Sequence, residues 1–152
     1  MNPFDLSNKV ICVTGASSGI GRQCAVSCSR MGATVVLLAR NEQRLHETLS
    51  IMDNPDKHVI IPVDLTEYAT VELVVKNIVS QVGRISGVLH CAGISTTLPL
   101  KLVTPEKLDE FFQANVFSAY NLTREVCKMG NFSKEGGSLS LIHISEPTRH
   151  LR

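Results

Sequence analysis

The sequence has little that would indicate a charged partner, a membrane or an oxidising compartment. Its 152 residues carry 15 Lys and Arg against 14 Asp and Glu, which gives no electrostatic reason to expect nucleic acid or an anionic membrane as partner. No apolar run reaches signal-peptide or membrane-spanning length. The five cysteines are odd in number and contain no Cys-x-x-Cys pair, so they predict buried thiols in the cytoplasm and no disulfide framework. Three histidines, His46, His58 and His90, lack metal-ligand spacing, so we expect no metal site.

Apolar strand-like segments alternate with helix-like segments along the chain. The runs at 10–14, 34–39, 59–63 and 88–91 are rich in apolar and β-branched residues, as expected of parallel strands buried on both faces. Between them, apolar residues recur at helical spacing, most clearly over 71–82. This alternation predicts an α/β fold, a Rossmann-like doubly wound parallel sheet with the strand order 3-2-1-4 and a ligand site at the strand carboxyl ends.

Several residues predict where strands and helices lie or begin. Pro62 lacks an N–H, so the third strand is expected at a sheet edge. Asn41 is expected to cap the second helix and Thr66 the third. Thr104, followed by Pro and Glu, opens a fourth helix that we expect to continue to about Met129.

A glycine-rich turn, T-G-A-S-S-G-I-G at 14–21, joins the first strand directly to the first helix. Glycines let the backbone turn tightly and approach a ligand, and the N–H groups at the helix start favour a phosphate. No Lys follows Gly21, which excludes the phosphate loop of nucleotide triphosphatases. A tight connection without a ligand is the alternative. The residues assigned to cofactor binding here are Thr14, Gly15, Ser17, Ser18, Gly19, Ile20 and Gly21.

Three further motifs follow in order: Asp64-Leu65 after the third strand, His90-Cys91-Ala92-Gly93 after the fourth, and Asn115 in the fourth helix. With these motifs, residues 9 to about 137 resemble the short-chain dehydrogenase/reductase family, Rossmann enzymes that move hydride between NAD(P)(H) and alcohols or carbonyls. The resemblance implies that Asp64 and Leu65 lie at the adenine, with Asp64 accepting from its amino group. It implies that residues 90–93 contact the cofactor partly through backbone atoms, although His90 and Cys91 replace two family asparagines. It also implies a catalytic proton relay through Asn115.

The cofactor preference depends on the end of the second strand. Enzymes that choose NAD usually place an acid there to bind the ribose 2′-hydroxyl, but this chain reads Leu38-Ala39-Arg40-Asn41. The guanidinium of Arg40 is suited to a 2′-phosphate, which favours NADP(H) over NAD(H). The alternative is that Arg40 is only a solvated charge at a helix start.

The family's catalytic acid, the Tyr of a Tyr-x-x-x-Lys motif, is not found in these residues. Tyr68 and Tyr120 are both too early, and neither is followed four residues later by Lys. Residues from about 139 resemble a translated sequencing adapter. We therefore expect a partial dinucleotide-binding domain at 1–138, a foreign tail at 139–152, and an exposed edge at the fourth strand. The alternative is a genuine fifth strand over 139–144, with Ser145 near the family's catalytic Ser.

Together these observations predict an NADP(H)-dependent oxidoreductase acting on a small-molecule carbonyl or secondary alcohol, such as a 3-oxoacyl-carrier-protein reductase. We expect the intact protein to be a cytoplasmic homo-oligomer and the present chain to be inactive. A non-catalytic dinucleotide sensor is the alternative function, and a Tyr-x-x-x-Lys motif further along the gene would argue against it.

Overall fold

The computed structural model describes residues 4–141, which form a parallel sheet in the order β3-β2-β1-β4-β5. The strands are Val10–Thr14 (β1), Thr34–Ala39 (β2), Val59–Pro62 (β3), Gly87–His90 (β4) and Ser138–Leu141 (β5). The α-helices are Gly19–Arg30 (α1), Glu42–Ser50 (α2), Tyr68–Val82 (α3), Pro105–Phe112 (α4) and Ser118–Val126 (α5). The predicted doubly wound parallel sheet is confirmed, with the predicted order of its first four strands.

The sheet has a hydrophobic core on each of its two faces. Successive side chains of a strand point to opposite faces, so Cys12 packs with α3 and α5 whereas Val13 packs with α1 and α2. Both residues are fully buried, and every residue of β1 is buried, because β1 lies between β2 and β4. Burial raises the pKa of the Cys12 thiol to about 12, so this cysteine behaves as a small apolar core residue.

The two edges of the sheet bear on two sequence predictions. Pro62 lies at the end of β3, the outermost strand on one side, as its missing N–H predicts. The expectation that β4 would be an exposed edge is wrong, because β5 pairs with it in parallel register from Gly87 opposite Ser138. Residues 138–141 therefore form a fifth strand, and the foreign origin of residues 139–152 stays a prediction. The rest of the predicted tail, including Ser145, lies outside the described residues.

Two of the three predicted helix caps are confirmed. The Asn41 side chain accepts from the N–H of Arg44 at 2.9 Å, and the Thr104 hydroxyl accepts from that of Lys107 at 3.2 Å. The cap predicted at Thr66 is wrong. Helix α3 begins one residue later than a Thr66 cap would place it, and the Thr66 N–H and hydroxyl both donate to Asp64.

The predicted fourth helix is interrupted in its middle. Helices α4 and α5 are joined by a π-helical turn, Gln113–Phe117, and α5 ends at Val126, before the predicted Met129. A π turn inserts one extra residue and often marks a functional site. The turn contains Asn115. Among residues 4–141, no helix is both long and apolar enough to cross a bilayer.

Candidate functional site

A cavity of about 700 Å³ lies across the carboxyl ends of β1 to β4, bounded on one side by α4 and the π turn. This is where a doubly wound sheet binds ligands, since the loops that follow neighbouring strands diverge there. Most of the predicted cofactor residues line it: Gly15, Ser17, Ser18, Gly19, Ile20, Gly21, Arg40, Asp64, Leu65, Cys91, Ala92 and Gly93. Three predicted site residues, Thr14, His90 and Asn115, do not.

Two residues of the turn, Gly15 and Gly19, have positive φ angles, which favour glycine over residues with a side chain. Gly15 has a φ of +64°, and a Cβ there would come within 2.9 Å of the Ala92 backbone. Gly19 has a φ of +52°, and nothing lies within 4 Å of the position that its Cβ would occupy. Since Gly19 also lines the cavity, the turn leaves room for a group to approach the start of α1, where N–H groups and the helix dipole favour an anion. These residues therefore fit the pyrophosphate of a dinucleotide.

Thr14 does not line the cavity but connects two of the segments that do. Its hydroxyl accepts from the N–H of Ala92 at 2.9 Å, which ties the end of β1 to the loop after β4. Thr14 is 1% exposed. This bond, together with the close packing of Gly15 against Ala92, sets the distance between the two loops that bound the cavity.

Two arginines lie beside the end of β2. Arg40 follows β2 directly, and Arg44 lies in the first turn of α2, whose start is fixed by the Asn41 cap. Both line the cavity. Arg40 was expected from the sequence, whereas Arg44 was not.

Asp64 lines the cavity and lies two residues after the end of β3. Hydrogen bonds from the Thr66 N–H (3.0 Å) and hydroxyl (2.8 Å) hold the pKa of this carboxyl below its usual range, with Arg40 adding a smaller electrostatic contribution. Both bonds are made to Oδ1. Asp64 is therefore a carboxylate at neutral pH, with Oδ2 as the oxygen that can accept from a ligand.

His90 and Cys91 are adjacent in sequence but have different surroundings. His90 is buried, and its Nε2 lies 2.9 Å from the hydroxyl of Thr123 on α5. Burial lowers the pKa of His90. Cys91 lines the cavity, and burial raises the pKa of its thiol to about 12, with a contribution from neighbouring Cys24. His90 therefore links β4 to α5 through a side-chain hydrogen bond, and its side chain does not line the cavity.

Asn115 uses its whole side-chain amide on one neighbour. Its Oδ1 accepts from the N–H of Ile94 at 2.7 Å, and its Nδ2 donates to the Ile94 carbonyl at 2.9 Å. Ile94 lines the cavity, as do Gln113 and Ala114 of the π turn. Asn115 thus joins the loop after β4 to the π turn and helps to form one wall of the cavity. No sequence pattern indicated the lining residues of this turn.

The described part of the chain contains no cluster of side chains that could form a metal site. No group of three or more His, Cys, Asp and Glu residues among residues 4–141 is arranged to hold a metal ion.

The family model for short chain dehydrogenases matches residues 9–145. The chain belongs to the short-chain dehydrogenase family. An oxidoreductase of Staphylococcus epidermidis, uncharacterized by name, is 30% identical over 146 residues, which cover 95% of this chain and 63% of that protein. L-xylulose reductase of Caenorhabditis elegans is 33% identical over 146 residues, covering 93% of this chain and 55% of that protein.

Solved structures agree with the family assignment of this short-chain dehydrogenase. A short chain dehydrogenase of Salmonella enterica serovar Typhi superposes with a TM-score of 0.80 at 34% identity, covering 88% of this chain and 57% of the other. The chain therefore spans about 55–63% of the length of the relatives named here. The family binds NAD(P)(H), and its oxidoreductase members imply small-molecule substrates.

Proposed function

We propose that the full-length protein transfers hydride between NADP(H) and a small-molecule carbonyl or secondary alcohol. The observation that carries this proposal is the cavity at the strand carboxyl ends, with the glycine turn at one side and Arg40 and Arg44 beside it. A turn that offers N–H groups fits the pyrophosphate, and guanidinium groups fit a phosphate on the adenosine ribose.

The remaining assignments follow from where each residue lies. Asp64 would accept from the adenine amino group through Oδ2, next to Leu65 on the same wall. Cys91, Ala92 and Gly93 would contact the ribose and nicotinamide side through their backbone. The pyrophosphate would lie against the glycine turn, whose contacting residues would be Gly15, Ser17, Ser18, Gly19, Ile20 and Gly21. Thr14 and His90 would hold β1 and β4 in place without contacting the cofactor.

A bound dinucleotide would supply or accept the hydride. Asn115 would hold the π turn against Ile94, and its backbone would take part in the proton relay. The name of L-xylulose reductase supports a carbonyl as the oxidised substrate, and a 3-oxoacyl-carrier-protein is one candidate within that class. We propose that the present chain binds dinucleotide poorly. It should also show no turnover, because neither of its tyrosines is followed four residues later by Lys.

The cofactor preference can be measured by titrating the protein with NADPH and NADH. We expect tighter binding of NADPH. Replacing Arg40 with Ala should remove a charged hydrogen bond of about 1.5–3 kcal/mol, roughly a 10- to 150-fold weaker Kd for NADPH, and leave NADH unaffected. Arg44→Ala should act in the same direction.

The matched control is Arg84→Ala, an exposed arginine just before β4 that does not line the cavity. This variant should bind NADPH as the wild type does. Equal affinity of the wild type for the two dinucleotides would contradict the NADP(H) preference, and binding of neither would contradict the dinucleotide site. Carbonyl reduction by a full-length protein carrying Tyr-x-x-x-Lys would separate the enzyme from a non-catalytic sensor.

We also propose a cytoplasmic location, with residues 1–138 as the dinucleotide-binding unit and a homo-oligomer as the intact state. The five cysteines are all free thiols, which is typical of a reducing compartment. Exposed apolar side chains on α4, α5 and the π turn between them support self-association: Leu108, Phe112, Val116 and Tyr120. Sedimentation of the full-length protein would test this, and a monomer at all concentrations would contradict it.

A further inference from the structure

Two hydrogen bonds to its carbonyl groups hold the glycine turn, one from a side chain of α1 and one from a side chain of α2. Arg22, in the first turn of α1, donates from Nη2 to the Ser17 carbonyl at 2.8 Å. Thr48 of α2 donates from its hydroxyl to the Ala16 carbonyl at 2.9 Å. Arg22 Nε also donates to the Thr48 hydroxyl at 3.0 Å, so the two contacts form one connected network.

These contacts determine which way the turn presents its N–H groups. A trans peptide holds its C=O and N–H on opposite sides. With the carbonyls of Ala16 and Ser17 directed at Thr48 and Arg22, the N–H groups of Ser17 and Ser18 point away from that network. Within residues 4–141, neither of these two N–H groups has a hydrogen-bond acceptor. Both residues line the cavity, so the turn offers it two unsatisfied donors.

The position of Arg22 is electrostatically unfavourable on its own. A cation in the first turn of a helix lies at the positive end of the helix dipole. Glu47 of α2 offsets this, since its Oε2 lies 3.1 Å from Arg22 Nη2. Thr48 is fully buried, and its hydroxyl hydrogen has two carbonyl acceptors within reach, Ala16 at 2.9 Å and Arg44 of its own helix at 3.1 Å. The network therefore holds the Arg22 cation in an unfavourable position, together with the buried Thr48 hydroxyl, next to the carbonyl groups of the turn.

We propose that Arg22 and Thr48 are positioning residues for the dinucleotide. By donating to the carbonyls of Ala16 and Ser17, they preorganise the N–H groups of the turn for a pyrophosphate without touching it, since neither residue lines the cavity. Helix α2 carries both Thr48 and Arg44, so the network also fixes the turn relative to the arginines beside the ribose. This inference rests on the proposed function, because it assigns the pyrophosphate to this turn.

The test compares Thr48→Val, which keeps the shape but removes the hydroxyl, with Thr48→Ser, which keeps the hydroxyl. Binding of NADPH is measured by calorimetry, and amide hydrogen exchange at residues 17–21 is measured in the free protein. Thr48→Val and Arg22→Met should each weaken NADPH binding about tenfold and speed exchange in the turn, whereas Thr48→Ser should resemble the wild type.

The control is Ser29→Ala, which removes another buried hydroxyl on α1, one that donates to Val26 and is remote from the cavity. It should lower the midpoint of thermal unfolding without changing the Kd for NADPH. If Thr48→Val and Arg22→Met behave like Ser29→Ala, with unchanged Kd and unchanged exchange at 17–21, their role is structural and the inference is overturned. A wild type that binds no dinucleotide would instead overturn the proposed function, and the exchange data from the free protein would still show whether the network holds the turn.

Discussion

Asn115 forms two hydrogen bonds with the backbone of a single residue, Ile94, accepting from its N–H at 2.7 Å and donating to its carbonyl at 2.9 Å. An amide is the side chain that can satisfy both groups at once, since it carries a donor and an acceptor side by side. This pairing is the link between the loop after β4 and the π turn.

Replacing Asn115 with Asp should destabilise the protein. The carboxylate cannot donate to the Ile94 carbonyl and would place two acceptors against each other, at a cost of about 1–3 kcal/mol in the free energy of unfolding. Denaturation in urea measures this. Asn77→Asp, the same change at an exposed position on α3, should cost much less, and equal losses in the two variants would show that the pairing with Ile94 contributes nothing.

Replacing Gly19 with Ala should affect NADPH affinity more than the stability of the fold. The positive φ of +52° costs an L-residue about 1–2 kcal/mol, and the added methyl would occupy the open space facing the cavity. We expect a modest loss of stability and a large loss of NADPH affinity, both followed by thermal shift with and without ligand.

Gly130 provides the comparison for Gly19. It also has a positive φ, +101°, and open space at its Cβ position, but it does not line the cavity. Gly130→Ala should therefore lose stability and keep its affinity for NADPH. Unchanged NADPH binding by Gly19→Ala would argue against the turn as the pyrophosphate site.

Replacing Thr14 with Val should loosen the connection between β1 and the loop after β4. Valine preserves the shape of the buried side chain but leaves the Ala92 N–H without its acceptor, which costs about 1–3 kcal/mol. Equilibrium unfolding should show this loss, whereas Thr34→Val at the start of β2 should be close to neutral because both residues suit a strand. A neutral Thr14→Val would mean that this bond does not stabilise the fold.

His58 should make stability depend on pH. Its Nδ1 accepts from the Val35 N–H at 3.1 Å, so the ring is neutral and its Nε2–H donates to the Asp53 carbonyl at 2.8 Å. Burial lowers the pKa of His58, and the charge of Lys57 lowers it further against the opposing effect of Asp53. Below about pH 6.5, His58 therefore binds a proton more readily in the unfolded chain than in the folded protein. The free energy of unfolding should fall as the pH drops through this range.

Unfolding free energies measured from pH 8 to pH 5 would test this. His90 is buried with a lowered pKa and acts in the same direction, so His58→Gln should flatten the pH dependence only in part. His46→Gln, the same change at an exposed position of α2, is the matched control for the substitution itself. A wild type whose stability is constant between pH 7 and pH 5 would contradict the prediction.

The sequence by itself determined the order of the elements and the place of the glycine turn. Strand and helix periodicity, the Asn41 and Thr104 caps and the edge position of Pro62 are local properties, set by backbone geometry and by side chains only a few residues apart. The prediction that the site lies at the strand carboxyl ends also follows from connectivity, because parallel strands joined by helices all end on one side of the sheet.

The tertiary structure decided what each side chain does there. His90 and Cys91 are neighbours in sequence, yet His90 bonds to Thr123 on α5 while Cys91 lines the cavity. The Asn115 amide forms hydrogen bonds with Ile94, 21 residues away in sequence, and the Thr48 hydroxyl donates to Ala16, 32 residues away. Such contacts depend on how helices pack against the sheet, and the sequence pattern carries no signal for them because their partners are distant along the chain. The roles of Arg22 and Thr48 therefore became visible only in the folded protein.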